Sequence, residues 1–268
     1  MYKLIMVMIT ISSIASATEC NDLYSSRGQN LQTTIDAYNC FDNNNEGNIS
    51  NHEKSVNLNK MAYLKFFEGS FYENDALNSL YKSFSLAQDA IKLYGPLFNK
   101  EAVIDLPTVQ VEEVALSYYL YGTSLSKYVD LKGKWEAIKR MSEIKNTMKM
   151  ILSLKKTSTF HFGAYRTLAI FNLKVPKIAG GSLSRSGMFF EKLMKESKTQ
   201  INVISYPVGH IFYAEYLRRI GKNQESCQQL DLIKSLTNDE IETYFQDLKF
   251  ETIKDRNVAE ETFKQYFC

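Results

Sequence analysis

A chain of 268 residues with 32 basic against 30 acidic side chains carries a net charge of +2, far from the basic excess that marks nucleic-acid binding. Its 44% hydrophobic content provides for a sizeable core. Beyond the first residues no apolar run approaches the length of a membrane span, so the body reads as a globular protein with no transmembrane segment.

The N-terminus places Lys3 ahead of an apolar run from Leu4 to Ile11 and a small-residue site at Ala15, Ser16 and Ala17. This order predicts a secretory signal over residues 1–17, cleaved after Ala17. Its removal leaves 31 bases and 30 acids, a net charge of +1. The product is then periplasmic or secreted. A lipoprotein is the poorer reading, because lipid attachment at Cys20 wants a small residue before it and Glu19 stands there.

Export gives meaning to Cys20, Cys40, Cys227 and Cys268, two near each end of the chain. Three pairings are open. Cys20 with Cys40 and Cys227 with Cys268 is the favoured one, since each bond would tie a terminal helix to its neighbour. No two cysteines have the close spacing of a zinc site, and neither a metal nor a cofactor is expected.

The remaining sequence divides into helix-sized blocks with no alternation of strand type. Leu23 to Phe41 breaks at Arg27, Gly28 and Gln29, which predicts a helix, a turn and a second helix carrying Leu31, Ile35 and Tyr38. After the polar loop Asp42 to Gly47, Ser50 with Glu53 forms a capping-box pattern for a helix through Phe67. From Asn74, the residues Ala76, Leu80, Phe84, Ala87 and Ile91 trace one stripe that ends near Gly95 and Pro96. Val109 to Tyr128 follows Pro107, with Tyr118, Tyr119 and Tyr121 close together. Gly133 opens a helix to Leu154 on whose stripe lie Trp135, Ile138, Met141, Ile144, Met148 and Ile151.

Pro176 stops the helix that runs through Thr167 to Phe171. Gly180 and Gly181 then permit a turn, and Ser182 and Ser184 can cap the helix toward Phe189, Phe190 and Leu193. A glycine pair before a helix could also hold an anion on its free amides, with Arg185 beside it, which is the one enzymatic reading the chain offers. The connector reading is the stronger, since Gly and Pro mark turns far more often than ligand sites.

Pro207 suits a first helical turn, and Ala214, Leu217 and Ile220 run to the turn at Gly221 to Asn223. The next helix carries Cys227, Leu230 and Ile233. Tyr213, Ala214, Tyr216, Leu217, Gly221 and Lys222 match a tetratricopeptide-like hairpin: a small residue where two helices cross, then a tight glycine turn. Such hairpins bury their apolar sides only by stacking, which leaves a concave face. The fold class is therefore all-α, stacked antiparallel helical hairpins in one tetratricopeptide-like domain over residues 18–268.

Chemistry has few footholds. His52, His161 and His210 form no metal-ligand pair, and His161 and His210 each sit among aromatic residues. Ser186 and Gly187 resemble part of a nucleophile elbow without the strand that an elbow needs. Glu112 with Glu113 and Glu260 with Glu261 read as solvated helix surface. Arg218 and Arg219 beside Tyr216 could grip a carboxylate or phosphate, but a cap or salt bridge within the helical pair is the stronger reading. No catalytic residue is assigned, and the chain is not read as an enzyme.

The helix around Trp135, the block His161 to Ala164, Pro176, the pair Gly180 and Gly181, the run Phe189 to Leu193, and Tyr213, Ala214 and Tyr216 together resemble the T component associated with tripartite ATP-independent periplasmic (TRAP) transporters. The resemblance is strongest over Trp135 to Ile233 and extends more weakly over Leu23 to Ile91. It implies an exported all-helical protein that associates with the periplasmic substrate-binding protein of a TRAP transporter and takes an apolar small ligand in an internal channel. Beside it stands a secreted structural or interaction protein with no transporter link, its cysteines stabilising the stack. A homo-oligomer is compatible with both.

Clustering near helix starts and turns nominates Tyr118, Tyr121, His161, Phe162, Tyr165, His210 and Tyr213 as the aromatic lining of a concave binding face.

Overall fold

The computed structural model describes residues 18–45, 49–72, 75–201 and 206–268. The signal segment 1–17 and its cleavage point, Gly47 and Asn74 lie outside the described residues. Among the described residues every regular element is a helix and none is a strand. None of these helices is long and apolar enough to cross a membrane. The chain divides into two compact units, Met1–Lys156 and Thr157–Cys268.

The first unit begins with α1, residues 18–25, and α2 (Leu31–Asn44), whose N-cap Asn30 accepts the amide of Thr33 at 2.9 Å. A disulfide joins Cys20 to Cys40 across this pair, with Cα atoms 5.5 Å apart. The guanidinium of Arg27, buried at the turn, lies 4.9 Å from the Tyr24 ring and 5.0 Å from Tyr63. Helix α3 (Asn51–Phe67) starts at the capping box that Ser50 and Glu53 form and ends in a π-helical turn, Glu68–Tyr72. That widening stacks Phe67 on Phe71 at 4.2 Å and buries the Glu68 carboxylate, which accepts from Lys65 at 2.6 Å and from the Ser79 hydroxyl at 3.0 Å.

Helices α4 (Ala76–Lys92), α6 (Thr108–Lys132) and α7 (Lys134–Ser153) complete the unit, with the short α5 (Glu101–Ile104) in the connection. α4 packs on α3 and α6, and α6 on α7. The α4 stripe is buried as its periodicity requires: Leu80, Phe84, Ala87 and Ile91 all lie in the core. At the α6–α7 crossing Gly122 leaves room for the Met148 methyl, which an added Cβ would meet at 2.3 Å. The α7 stripe is only half covered. Ile144, Met148 and Ile151 are buried, whereas Trp135 is 81% and Ile138 51% exposed. Periodicity names a face, but a neighbouring helix must reach far enough to cover it.

The second unit starts with α8 (Thr159–Lys174) and α9 (Leu183–Ile201), joined through a 3-10 turn, Lys177–Ala179. Then follow α10 (Pro207–Arg219), α11 (Asn223–Lys234), α12 (Asn238–Tyr244), a 3-10 turn at Gln246–Leu248, and α13 (Lys249–Gln265). α8 packs on α9 and α10 on α11, and α13 covers α10 and α11. Thr237 and Glu240 form the capping box that starts α12. The disulfide Cys227–Cys268 fastens the chain end to α11, with Cα atoms 5.6 Å apart. Both bonds follow the favoured pairing.

One device recurs where hairpin helices cross. The carbonyl of a buried alanine on the first helix accepts a buried serine hydroxyl from the second: Ala62 from Ser83 at 2.6 Å, Ala169 from Ser186 at 2.9 Å, and Ala214 from Ser226 at 2.8 Å. A methyl side chain lets the backbones approach, and the hydroxyl then finds an acceptor in an interior that would otherwise strand it. Ala214 is the small residue on which the tetratricopeptide-like reading rests. Its hairpin closes at Gly221, with φ +82, where the Lys222 amide returns to the Leu217 carbonyl at 2.9 Å.

Candidate functional site

The residues Phe160, His161 and Phe162 all adopt left-handed backbone angles, with φ of 46, 52 and 60°. A side chain in that region costs roughly 1–2 kcal/mol, so three in succession need compensation nearby. Arg166, buried one turn along α8, donates to the His161 carbonyl at 3.0 Å and reaches the Phe160 carbonyl at 3.5 Å. Its guanidinium also lies 4.8 Å from the Tyr206 ring centroid, a cation–π distance. The left-handed run thus turns two carbonyls onto a buried cation, and Tyr206, just before α10, closes the cluster from the other side.

The His161 ring is half-buried, 5.8 Å from Tyr206 and 6.5 Å from Phe245. Burial, reinforced by the Arg166 charge and opposed by Asp247, depresses its pKa from 6.5 to about 4. At neutral pH the imidazole is uncharged. What results is a small aromatic wall with one neutral hydrogen-bonding ring, suited to an apolar or weakly polar contact rather than to proton transfer at pH 7.

A second aromatic face of this unit spans α9 and α10. Tyr213 and Tyr216, one turn apart, stack at 6.0 Å, and Phe190 lies 5.3 and 5.8 Å from them. A Cβ on Gly187 would fall 2.2 Å from the Tyr216 hydroxyl oxygen, so the glycine of the supposed elbow makes room for a phenol. Tyr213 is half-buried, and burial, with Glu225 and Glu191 nearby, raises its phenol pKa. From α8, the Tyr165 hydroxyl donates to Glu196 of α9 at 3.0 Å, and burial followed by that carboxylate raises its pKa to about 12.

The two tyrosines of the first unit are core residues. The Tyr118 hydroxyl accepts the Phe98 amide at 2.9 Å while its ring stacks on Phe98, pinning the loop that precedes α5. Tyr121 donates to the Glu143 carboxylate, which also accepts from Arg140, and burial raises its phenol pKa. Phe162, Tyr165 and His210 are buried as well, His210 Nδ1 lying 2.8 Å from Gln229 Oε1. Of the seven nominated residues, His161 and Tyr213 keep partly exposed side chains. Clustering at helix starts picks out aromatic residues, but the same rings fill cores, and burial separates the two uses.

Sequence reasoning did not nominate Arg166, Tyr206, Phe245, Phe190 or Tyr216 for the site. The spacing of Tyr213 and Tyr216, one turn apart, could have added the last; nothing local announces a buried arginine.

The glycine loop is a satisfied connector. α8 ends before Pro176, Gly180 takes φ +92, the Gly181 amide returns to Pro176 at 3.1 Å, and the Ser182 amide to Asn172 at 3.0 Å. Ser182 caps the Arg185 amide at 3.3 Å, and the Arg185 guanidinium donates to the Gly180 carbonyl at 2.7 Å. Loop and arginine therefore serve each other. Arg219 bonds the Leu173 carbonyl and Glu215, both at 2.7 Å, and Arg218 lies 4.2 Å from the Tyr266 ring, so this pair braces helices. Among the described residues no group of His, Cys, Asp or Glu could hold a metal ion.

The family model of the TRAP transporter T-component matches residues 79–240, from α4 into α12. Among curated proteins none matches the chain. The matched residues span well over half of the sequence and parts of both helical units, including the two hairpins that carry the Ala169–Ser186 and Ala214–Ser226 crossings. The chain is a member of the TRAP transporter T-component family.

Proposed function

We propose that this chain is an exported, non-enzymatic binding protein of a TRAP system, which meets the periplasmic substrate-binding protein through an aromatic helical face and accommodates apolar ligands. Family membership supports a TRAP-associated role. Two disulfides suit an oxidising compartment. The observation that carries the binding face is the half-exposed pair Tyr213 and Tyr216 on α10, stacked with Phe190 and bordered by Glu191, Lys222 and Glu225. Rigid aromatic rings ringed by charge are what recognition surfaces use for anchors.

The test is capture of the purified substrate-binding protein encoded with the same transporter, with and without Tyr213→Ala and Tyr216→Ala together. Loss of roughly tenfold or more in affinity with unchanged helicity supports the face. Equal capture by the double variant refutes it. Phe162 is unsuitable for this test because it is buried, and its truncation reports on packing.

A further inference from the structure

Trp135, the single tryptophan of the chain, is 81% exposed at the second residue of α7. Leu131, at the end of α6, is 55% exposed, and Ile138 shares the outer face of α7 with Trp135, three residues on. Between α6 and α7 Gly133, with φ +99, reverses the chain, so these apolar side chains gather at one corner of the first unit.

The charge around this corner has one dominant sign. Residues 127–140 hold Lys127, Lys132, Lys134, Lys139 and Arg140 against Asp130 and Glu136, a net +3 within a chain whose total is +2. Arg140 is committed to Glu143, and Lys139 lies 3.9 Å from Glu136. Lys132 and Lys134 flank Gly133 itself, both exposed.

Protein interfaces favour tryptophan but are depleted in lysine. The combination of an exposed tryptophan, aliphatic neighbours and a lysine rim belongs instead to the boundary between water and lipid: the indole settles among headgroups, and lysine stems lie along apolar surface with their charges outward. We propose that this corner docks on an anionic lipid surface, with Trp135 and Ile138 entering the headgroup layer and Lys132 and Lys134 meeting lipid phosphates. The proposal goes beyond the TRAP-associated reading and does not depend on Tyr213 or Tyr216.

A single tryptophan makes the test direct. Protein recovered after export, with its mass showing that residues 1–17 are gone, is mixed with vesicles of phosphatidylcholine alone or of phosphatidylcholine with phosphatidylglycerol. Docking shifts Trp135 emission to the blue with the anionic vesicles only, and salt reverses the shift. Replacing Lys132 and Lys134 by glutamine lowers the partition coefficient about thirtyfold, at roughly fivefold per lysine. Unchanged emission at low salt, equal partitioning of the lysine variant, or a blue shift with inorganic phosphate alone or only with a purified protein partner would overturn the proposal. Co-sedimentation of Trp135→Ala, expected to fall while far-ultraviolet dichroism stays constant, checks the indole without relying on its emission.

Discussion

Gly180 and Gly181 are adjacent, yet alanine should injure them for different reasons and by different amounts. At Gly181 a Cβ would stand 1.7 Å from the Val175 carbonyl oxygen and 2.6 Å from its carbon, both backbone atoms that no rotamer change can move aside. Relief requires residues 175–182 to spread, which breaks the bonds from Gly181 to Pro176 and from Ser182 to Asn172. Two such bonds contribute about 2 kcal/mol, and looser seating of α9 on α8 adds about another 1–2 kcal/mol. The reduced freedom of the unfolded chain returns less than about 1 kcal/mol. Gly181→Ala should therefore cost about 3 kcal/mol. At Gly180 nothing lies within 4 Å of the added carbon, and the obstacle is φ +92 alone. Gly180→Ala should cost about 1 kcal/mol, and Gly180→Asn less, because asparagine tolerates left-handed angles. Urea titration followed by circular dichroism measures both. If Gly181→Ala lies within 1 kcal/mol of the parent, or Gly180→Ala is the worse of the two, the steric argument fails.

Ser83 donates to the Ala62 carbonyl and lies 2.7 Å from the Ser124 hydroxyl, so Ser83→Ala leaves a buried hydroxyl short of a partner and should cost about 1–3 kcal/mol by denaturant midpoint. The disulfides close segments of 20 and 41 residues; on chain entropy each stabilises by about 3–4 kcal/mol, the Cys227–Cys268 bond by slightly more, so melting under a reductant should fall sharply. His161 binds its proton less readily when folded, at about pH 4 against an ordinary 6.5. Between those values the unfolded chain holds the extra proton, so stability rises with pH across that window and is lost as pH falls from 6.5 toward 4. For a half-buried ring the change is about 2 kcal/mol, and His161→Asn, which tolerates the left-handed backbone, should flatten that part of a stability-versus-pH curve. A curve that keeps its slope in the variant would assign the dependence elsewhere.

Local chemistry was enough to mark most of the helices and their principal stops, and it favoured, among three open pairings, the two disulfides that form. Ser50 with Glu53, Pro107, Gly133, Pro176 and Pro207 act within one helical turn, so their consequences are written beside them in the chain. The α4 stripe and the small residue Ala214 are legible for the same reason, as period and volume are properties of a single segment. Tertiary structure alone decided which aromatic rings became core. Tyr118 and Tyr213 have similar sequence surroundings, but Phe98 covers the first, and the second stays half open. It also left Trp135 bare, turned Phe160 to Phe162 into left-handed angles held by Arg166, and set serine hydroxyls on alanine carbonyls of neighbouring helices. Each of these depends on atoms brought together from distant parts of the chain, where burial and the need to satisfy polar groups outweigh local preference.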